Sequence, residues 1–475
     1  MQRTYEQQEI VDTALTGANM VVKAFAGTGK TTTLIEVASE LQKSSLYIAF
    51  NKIIADEAQG KFPIYVDCKT IHSLAYKHIV THKMKKKLQG FYSFDDIIRD
   101  RDITTMSKDL AFISRKIRVD TVAVIKDFCQ SSAKDLAEFV KTNYPSAQDK
   151  CILEYWDNMT NEDHPAKMTH DVYLKMFHLK GIKLPYKVVY LDESQDSTPV
   201  VLDIVLSQEA QIILVGDEYQ SIYEWRGAIN AMANLPSSFK ELYLTESFRF
   251  TPMIASMATK LTYILGNPRA IIGLGKPEYK TGNHAIICRT NISFLNLLLD
   301  AEAKGDKVFI LGDLKDLWSK MYHISSLCFK QPVKYPNKEL AQYKSYSELM
   351  EGAEDIPELV RLIKLTRSLS DGGGLTTNIN RIKSVIVENP ELATYTITTA
   401  HKSKGLEWDS VTINEDMLVL REDSDLVDTL TTGQTLELLY VAVTRAKYTV
   451  AIPPLVLNVI DNFNSLRQQV IDRLV

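Results

Sequence analysis

Residues 24–31 read Ala24-Phe25-Ala26-Gly27-Thr28-Gly29-Lys30-Thr31 and lie between the apolar run Met20–Ala24 and a helical run Thr32–Leu41. This junction constrains the chain more than any other stretch. Its glycines let backbone N–H groups close around an anion at a helix N-terminus, where the dipole favours negative charge. The lysine adds charge for a phosphate and the threonine a hydroxyl for a divalent cation. Strand, glycine loop and helix in that order open a parallel crossover unit, so the fold class is predicted to be α/β. The GxxxxGK[ST] pattern is broken at its first position, Ala24. A glycine-rich turn with a solvent-exposed lysine is the alternative, and the strand-loop-helix setting fits it poorly.

Short apolar, β-branched runs recur along the chain in two groups. Met20–Ala24, Ser45–Phe50, Val188–Leu191, Ile212–Val215 and Leu242–Leu244 form the first. Ala285–Cys288, Val308–Leu311, Tyr395–Thr398, Val411–Asn414 and Thr449–Ile452 form the second. Parallel sheets covered by helices follow, and 475 residues leave room for several domains at roughly 100–200 residues each. From about Tyr76 to His178 the first group is interrupted by helical pattern such as Asp120–Tyr144, read as a helical insertion. From about Lys315 to Asn389 the second is interrupted, and Gly372–Gly374, Pro332, Pro336 and Pro357 read there as turns or a linker.

Composition narrows the class further. With 45% hydrophobic and 24% charged residues, sizeable cores can form. A formal charge of −4 excludes a histone-like polycation but leaves room for a basic groove. The five cysteines form no CxxC or Cys/His pair at zinc spacing, which predicts a reduced intracellular chain without a structural metal. MQRTYEQQEIVDTA has neither a basic n-region nor an apolar h-region, and no run approaches ~18 apolar residues, so neither a secretory leader nor a membrane partner is expected. The expected location is the cytoplasm in a bacterium or phage and the nucleus in a eukaryote.

A phosphate loop needs an acidic partner, and Val188–Leu191 runs into Asp192-Glu193-Ser194-Gln195-Asp196. Ligands of open α/β sheets bind at the carboxyl ends of strands, where these acids fall. Asp192 and Thr31 are the candidate ligands of Mg²⁺, and Glu193 is the candidate to polarise an attacking water. Ala26, Gly27, Thr28, Gly29, Lys30, Thr31 and Thr32 form the candidate phosphate cradle. Adjacent acids on a solvated loop are the bland reading. Together the two boxes specify a P-loop NTPase with Mg²⁺ as the expected cofactor, without saying what hydrolysis drives, since kinases, transporters and switch GTPases share them.

Residues 215–228 then read VGDEYQSIYEWRGA. With the loop, the DESQD box, AFNK (49–52), TIHSLAY (70–76), TAHKSKGLEW (399–408) and LLYVAVTRAK (438–447), the chain resembles the UvrD/Rep-like superfamily 1 DNA helicases. It looks closest to the compact branch that includes the F-box DNA helicase, with no F-box region apparent. The resemblance implies two RecA-like P-loop motor domains: 1–80 with 171–245, carrying a helical insertion at 81–170, and 246–314 with 390–475, carrying a reduced insertion at 315–389.

The same resemblance implies roles residue by residue. Gln7 in YEQQE would read the adenine edge, with Gln8 beside it as the alternative register, and Phe248 would stack on adenine unless it is a core residue. Arg249 and Arg445 would reach the γ-phosphate from the second motor domain, guanidinium supplying fixed-fork donors; Arg445 could instead form a structural salt bridge. Gln220 would sense the γ-phosphate, and Gly405 and Glu407 would contact the nucleotide. Lys30, Asp192, Glu193, Gln220, Arg249 and Arg445 make up the catalytic set.

Single strands are usually held by stacked aromatics and phosphate contacts. Tyr223, Trp225 and Arg226 suit that task, Trp225 resembling the family's base-stacking tryptophan; the aromatics could otherwise be packing residues. Asn51, Lys52, Thr70, His72, Ser73, Thr399 and His401 are the further candidate contacts. Ala49 stands where many relatives carry an aromatic, and Phe50 lies one position later. In the run His82–Lys87, backbone contact competes with a solvated face.

The implied activity is an ATP-dependent translocase on single-stranded DNA and a 3′-to-5′ DNA helicase, acting on tailed or forked duplex in replication, repair or recombination. Single-strand-binding or recombination proteins are candidate partners. Stripping recombinase or other proteins from the strand with little unwinding uses the same residues. A nucleotide-dependent loader with a decayed ATPase fits poorly with the complete catalytic set. After Lys447 one strand and a short helical tail remain, so no appended nuclease is expected.

Overall fold

The computed structural model describes residues 3–90, 92, 108–147, 149–223, 227, 232, 235–276, 282–334, 336–354, 356–371, 374–420 and 424–474. The chain divides into two compact units, residues 1–245 and 246–475. Among the described residues no helix is long and apolar enough to cross a membrane.

In the first unit, β1 (Met20–Ala24), β2 (Ser45–Ala49), β3 (Val66–Thr70), β4 (Val188–Leu191), β5 (Gln211–Gly216) and β6 (Lys240–Leu244) form one parallel sheet in the order β3-β2-β4-β5-β1-β6. Side chains alternate between faces along a strand, so apolar runs without polar alternation demand cover on both sides. Val21, Ile48, Val189 and Leu214 enter one core, while Val22, Tyr47, Tyr190 and Ile213 enter another. The second core is closed by α1 (Tyr5–Leu15), α2 (Lys30–Leu41) and α3 (Lys52–Gln59). The first is closed by α4 (Ile71–Ile79), α5 (His82–Lys85), α6 (Lys108–Gln130), α7 (Leu136–Asn143), α8 (Asp149–Thr160), α9 (His170–Leu179) and α10 (Pro199–Leu206).

The α/β class and all five strands expected in this unit are present; β3 was not read from the sequence. Its pattern explains the omission: Val66 and Cys68 are buried while Asp67 and Lys69 are exposed, the alternation of an edge strand rather than a continuous apolar run. The expected helix over Asp120–Tyr144 is two helices. The chain leaves α6 at Gln130, and Asp135 starts α7 by accepting the Glu138 N–H at 2.8 Å, an N-cap bond that competes with continuing the first helix.

Of the basic run, His82, Lys83, Lys85 and Lys86 are exposed, and two of the lysines are tied into the fold. Lys87 is buried, donating to the carbonyls of Asn158 (3.0 Å) and Asn161 at the end of α8, and Lys83 pairs with Asp163 at 2.7 Å. Cations at a helix C-terminus satisfy orphan carbonyls, which accounts for Lys87 without a ligand.

The second unit opens with the short parallel pair β7 (Glu246–Ser247) and β8 (Ile272–Gly273). Its main sheet contains β9 (His284–Cys288), β10 (Val308–Ile310), β11 (Ile386–Val387), β12 (Tyr395–Thr399), β13 (Trp408–Ile413) and β14 (Ala446–Ala451), all parallel in the order β11-β10-β12-β9-β13-β14. The five strands expected here form with ends shifted by a few residues; β13 starts at Trp408. The helices are α11 (Pro252–Ile264), α12 (Ser293–Lys304), α13 (Lys315–Cys328), α14 (Tyr346–Ala353), α15 (Pro357–Asp371), α16 (Leu375–Lys383), α17 (Ala400–Ser403), α18 (Leu426–Thr431), α19 (Thr435–Val443), α20 (Pro454–Asp461) and α21 (Phe463–Leu474).

The span Lys315–Asn389, expected as a reduced insertion with turns or a linker at its glycines and prolines, is mostly helical. Helices α13–α16 fill most of it and bury Trp318, Met321, Leu349, Leu362 and Ile379 in one core, and β11 returns the chain to the sheet edge. Pro332 and Pro336 lie in the non-helical stretch between α13 and α14, as expected, whereas Pro357 is the first residue of α15 and Gly374 precedes α16 at φ +92°. Gly372 and Gly373 lie outside the described residues.

Candidate functional site

At the carboxyl end of β1 the chain turns through Phe25–Gly29 into α2. Gly27 and Gly29 adopt φ +73° and +78°, a region costly for residues with a Cβ. Gly29 is the N-cap of α2 and provides no side-chain cap, so the first N–H groups of α2 point into the loop. The loop braces itself: Thr28 donates to the Phe25 carbonyl at 2.8 Å, and Thr33 Oγ1 to the Gly29 carbonyl at 3.0 Å. Thr28 is buried and Thr32 exposed.

The neighbouring β4 ends in the acids. Lys30 Nζ lies 2.8 Å from Glu193 Oε1 and 2.9 Å from Oε2. Thr31 Oγ1 donates to Asp192 Oδ2 at 3.3 Å, and Tyr47 OH donates to the same oxygen at 2.5 Å. Burial, then the Glu193 charge, raises the Asp192 pKa, against the pull of Lys30 and Tyr47. Burial alone would lower Lys30, but Glu193, Asp192 and Asp217 outweigh it and the ammonium is held above its ordinary value. Glu193 itself sits at φ +50°, an uncommon backbone state that turns its carboxylate back toward the loop lysine.

Gln195 is fully buried, donating through Nε2 to Glu193 Oε2 at 2.7 Å and accepting the Asp217 N–H at 3.1 Å. Gln220 is buried and donates to Asp217 Oδ2 at 2.7 Å. Tyr219 stacks on Phe25 of the phosphate loop, with ring centroids 5.9 Å apart and planes at 14°. The segment after β5 is therefore tied to both the loop and the acids.

Of the neighbouring glutamines, Gln7 is buried against α2 and Gln8 is exposed, bonding to Asp12 at 2.8 Å. Gln7 closes a capping box with Thr4, and its amide nitrogen donates to Thr33 Oγ1 at 3.3 Å. The register thus puts Gln7, not Gln8, beside the phosphate-loop helix.

A cavity of about 420 Å³ in the first unit is lined by Asp192 and Glu193 and also by Phe50, His72 and Tyr223. Phe50 and Tyr223 stack at 5.8 Å with planes at 15°, and Phe50 is 44% exposed. The sequence reading passed over Phe50 because it sits one residue from the expected aromatic position. Asn51 and Thr70 are N-caps of α3 and α4, accepting from Ile54 N at 3.0 Å and Ser73 N at 3.2 Å, and Lys52 is the first residue of α3. Ser73 Oγ returns to the Thr70 carbonyl at 2.8 Å, and His72 lies 3.6 Å from Asp171. Trp225 and Arg226 lie outside the described residues.

The second unit gathers its own candidates. Arg249 donates through Nε to Glu407 at 2.9 Å and through Nη1 to the Thr444 carbonyl at 3.2 Å, and Lys447 pairs with the other Glu407 oxygen at 3.0 Å. Burial would raise the Glu407 pKa, but Lys447 and Arg249 hold it below the usual carboxylate value. Arg445 is 1% exposed and donates to the carbonyls of Val441 (3.0 Å) and Leu406 (3.2 Å) and to Thr444 Oγ1 (3.1 Å). Gly405, at φ +84°, turns the chain between α17 and Glu407. Phe248 is 39% exposed. Thr399 caps α17 through Lys402 N at 3.4 Å, and His401 follows within that helix. Lys447, which shares Glu407 with Arg249, was not read from the sequence.

Comparison with known proteins meets this arrangement at several points. Residues 4–240 match the UvrD/REP helicase N-terminal domain. The chain is 32% identical to F-box DNA helicase 1 of Gallus gallus, over 94% of this chain and 48% of that protein. It is 29% identical to F-box DNA helicase protein 1 of Schizosaccharomyces pombe, over 94% and 56%. A probable DNA helicase II homolog of Mycoplasma genitalium is 23% identical over 54% of this chain and 42% of its own. The chain thus spans about half the length of the curated relatives it matches. With its phosphate loop and acids on one parallel sheet and a second parallel six-stranded sheet behind them in sequence, the chain belongs to the UvrD/Rep-like family of superfamily 1 helicases.

Proposed function

We propose that this chain is an ATP-dependent motor that moves 3′-to-5′ along single-stranded DNA and unwinds tailed or forked duplex. The observation that carries the reading is the shared cavity of the first unit, whose lining includes both the phosphate-site acids and a stacked aromatic pair of exposed Phe50 and half-buried Tyr223. A base stacked at Phe50 and Tyr223 would therefore lie next to the groups that handle the terminal phosphate. Chemistry and track are close enough for one to move the other.

The residues divide the work. Backbone N–H groups of Ala26–Thr32 hold the phosphates, and Lys30 leaves Glu193 to neutralise them. Thr31 and Asp192, a hydroxyl and a carboxylate in mutual contact, are hard oxygen donors suited to Mg²⁺, which when bound neutralises charge on the β- and γ-phosphates. Glu193 accepts the proton of the attacking water. Gln220 responds to loss of the γ-phosphate, Arg249 and Arg445 supply guanidinium charge to the transferring group, and Gln7, Phe248, Gly405 and Glu407 select the nucleoside. Tyr223, Trp225, Arg226, Asn51, Lys52, Thr70, His72, Ser73, Thr399 and His401 are assigned to the strand.

The test is ATP-dependent strand separation on a duplex with either a 3′ or a 5′ single-stranded tail, at one stated salt concentration. Separation confined to the 3′ tail is expected. Hydrolysis stimulated by DNA without separation from either tail would replace unwinding with protein displacement, and hydrolysis indifferent to DNA would overturn the motor.

A further inference from the structure

One buried amide joins the ends of two strands. Gln195 Nε2 donates to Glu193 beyond β4, Gln195 Oε1 accepts from Asp217 N–H beyond β5, and the Gln195 carbonyl accepts from Ser221 Oγ at 3.3 Å. Its orientation is fixed by chemistry: the NH₂ faces a carboxylate and the oxygen faces an N–H, and a flip would oppose acceptor to acceptor and donor to donor. Gly216 makes the space, since a Cβ there would stand 2.3 Å from Gln195 Oε1. The segment reached in this way continues through Gln220 to Tyr223, half of the stacked aromatic pair.

Glu193 is held from two sides, by Lys30 and by Gln195. The lysine has a second duty, because a phosphate in the loop competes for its charge. The amide has none. Once Lys30 turns to a phosphate, the Gln195 NH₂ still holds Oε2 and so keeps the carboxylate oriented. A neutral donor orients the carboxylate without the charge that would weaken it as a base.

We propose that Gln195 is the positioning residue for Glu193 and the link through which the 217–223 segment sets the geometry of the hydrolytic base. This rests on the reading of Glu193 as that base. A shift of Asp217 carries the Gln195 oxygen with it, and the amide is planar, so Oε2 of Glu193 must follow or lose its donor. Strand occupancy at Tyr223 is thereby felt at the reacting water.

The test uses the full chain with three substitutions, measuring steady-state ATP hydrolysis with and without a single-stranded oligonucleotide, and MgADP binding as a report on the folded site. Gln195→Glu keeps an acceptor for Asp217 N–H but sets a like charge against Glu193; Gln195→Met fills similar volume without either bond. Both are expected to lower kcat by about a hundredfold, the scale of a small misplacement of a reacting group, with KM for ATP and MgADP affinity little changed. In Gln195→Met the residual hydrolysis should no longer rise with oligonucleotide. Where Gln195→Glu fails to bind MgADP, Gln195→Met decides alone. Near-normal kcat and oligonucleotide stimulation in the Gln195 variants, beside an inactive Glu193→Gln, overturn the link and leave the base assigned. A fully active Glu193→Gln overturns the assignment of the base itself.

Discussion

Lys30 and Glu193 form a closed pair, Nζ lying 2.8 Å from one carboxylate oxygen and 2.9 Å from the other. Each partner satisfies a charge the other would otherwise leave in a mostly buried site, which is costly without compensation. On the proposed roles Lys30 would turn to the phosphates and Glu193 to the attacking water, so nucleotide binding would have to part the pair.

Replacing Glu193 with Gln removes the charge that retains Lys30 while keeping a side chain of the same shape. Nucleotide binding is expected to persist or tighten. Turnover is expected to fall by about 10²–10⁴, the usual contribution of a general base. Equilibrium binding of a labelled ATP analogue and steady-state hydrolysis on one preparation check both halves, and hydrolysis at the parental rate would remove Glu193 from the role.

The Phe50–Tyr223 stack predicts a second effect. Phe50→Ala and Tyr223→Ala should each weaken affinity for a single-stranded oligonucleotide by about 1–3 kcal/mol, the scale of one base–aromatic contact. Because the rings touch, the double substitution should cost less than the sum of the two. Strict additivity, measured by fluorescence anisotropy at fixed salt, would show that the rings act at separate places on the strand. Trp225→Ala should produce a loss of the same size.

Gln7 carries two loads that can be separated. Its carbonyl closes the capping box of α1, and its NH₂ faces α2. Gln7→Ala leaves the Thr4 cap on the Gln7 N–H but loses the reciprocal bond from Thr4 N–H, at a cost of about 0.5–1.5 kcal/mol of stability. Gln7→Glu retains a capping-box acceptor but removes the amide donor and buries a charge, so it should keep the cap at some cost in stability while lowering the preference for ATP over GTP. Gln8→Ala should change neither. Thermal melts and competition between the two nucleotides distinguish these outcomes.

The phosphate loop and acid box were legible because their chemistry is local: a glycine turn, a helix start and a strand end lie within a few residues of one another. Their meeting was not local. Lys30 and Glu193 are 163 positions apart, and only the parallel order β4-β5-β1 brings their loops to one edge. The stacking of Phe50 on Tyr223 escaped reading for the same reason, since no pattern within either segment signals a partner in the other. At Lys315–Asn389 the failure was different in kind. Pro357 and Gly374 were read with their neighbours as turns or a linker when they open helices, and the core that holds α13–α16 is built from several helices and strands rather than from any one periodic run. Asn51, Thr70 and Thr399 were singled out for a ligand, and all three cap helices, so capping alone accounts for a polar residue at each of them.

Lys175 provides a prediction about pH. Fully buried on α9, its ammonium lies 4.2 Å from the Phe128 ring centroid and donates to the carbonyls of Ser131 (2.9 Å) and Ala133, holding the α6–α7 connection against α9. Burial lowers its pKa to about 8, opposed by Cys129 and Asp203 and reinforced by the Lys134 charge. The ordinary lysine value is 10.5, so between about 8 and 10.5 the unfolded chain holds more of this proton than the folded chain. Stability contributed by this group therefore rises with pH across that window, by at most about 1.4 kcal/mol per pH unit, and is flat below it. Lys175→Met should remove that slope and leave the Ser131 and Ala133 carbonyls without the ammonium, at a cost of about 1–3 kcal/mol at neutral pH if they find no other donor. Denaturant midpoints of the two proteins, compared pH by pH, isolate the lysine from the tyrosines and cysteines that titrate in the same range. Parallel curves would mean that the ammonium stays charged throughout, its carbonyl and ring contacts outweighing burial.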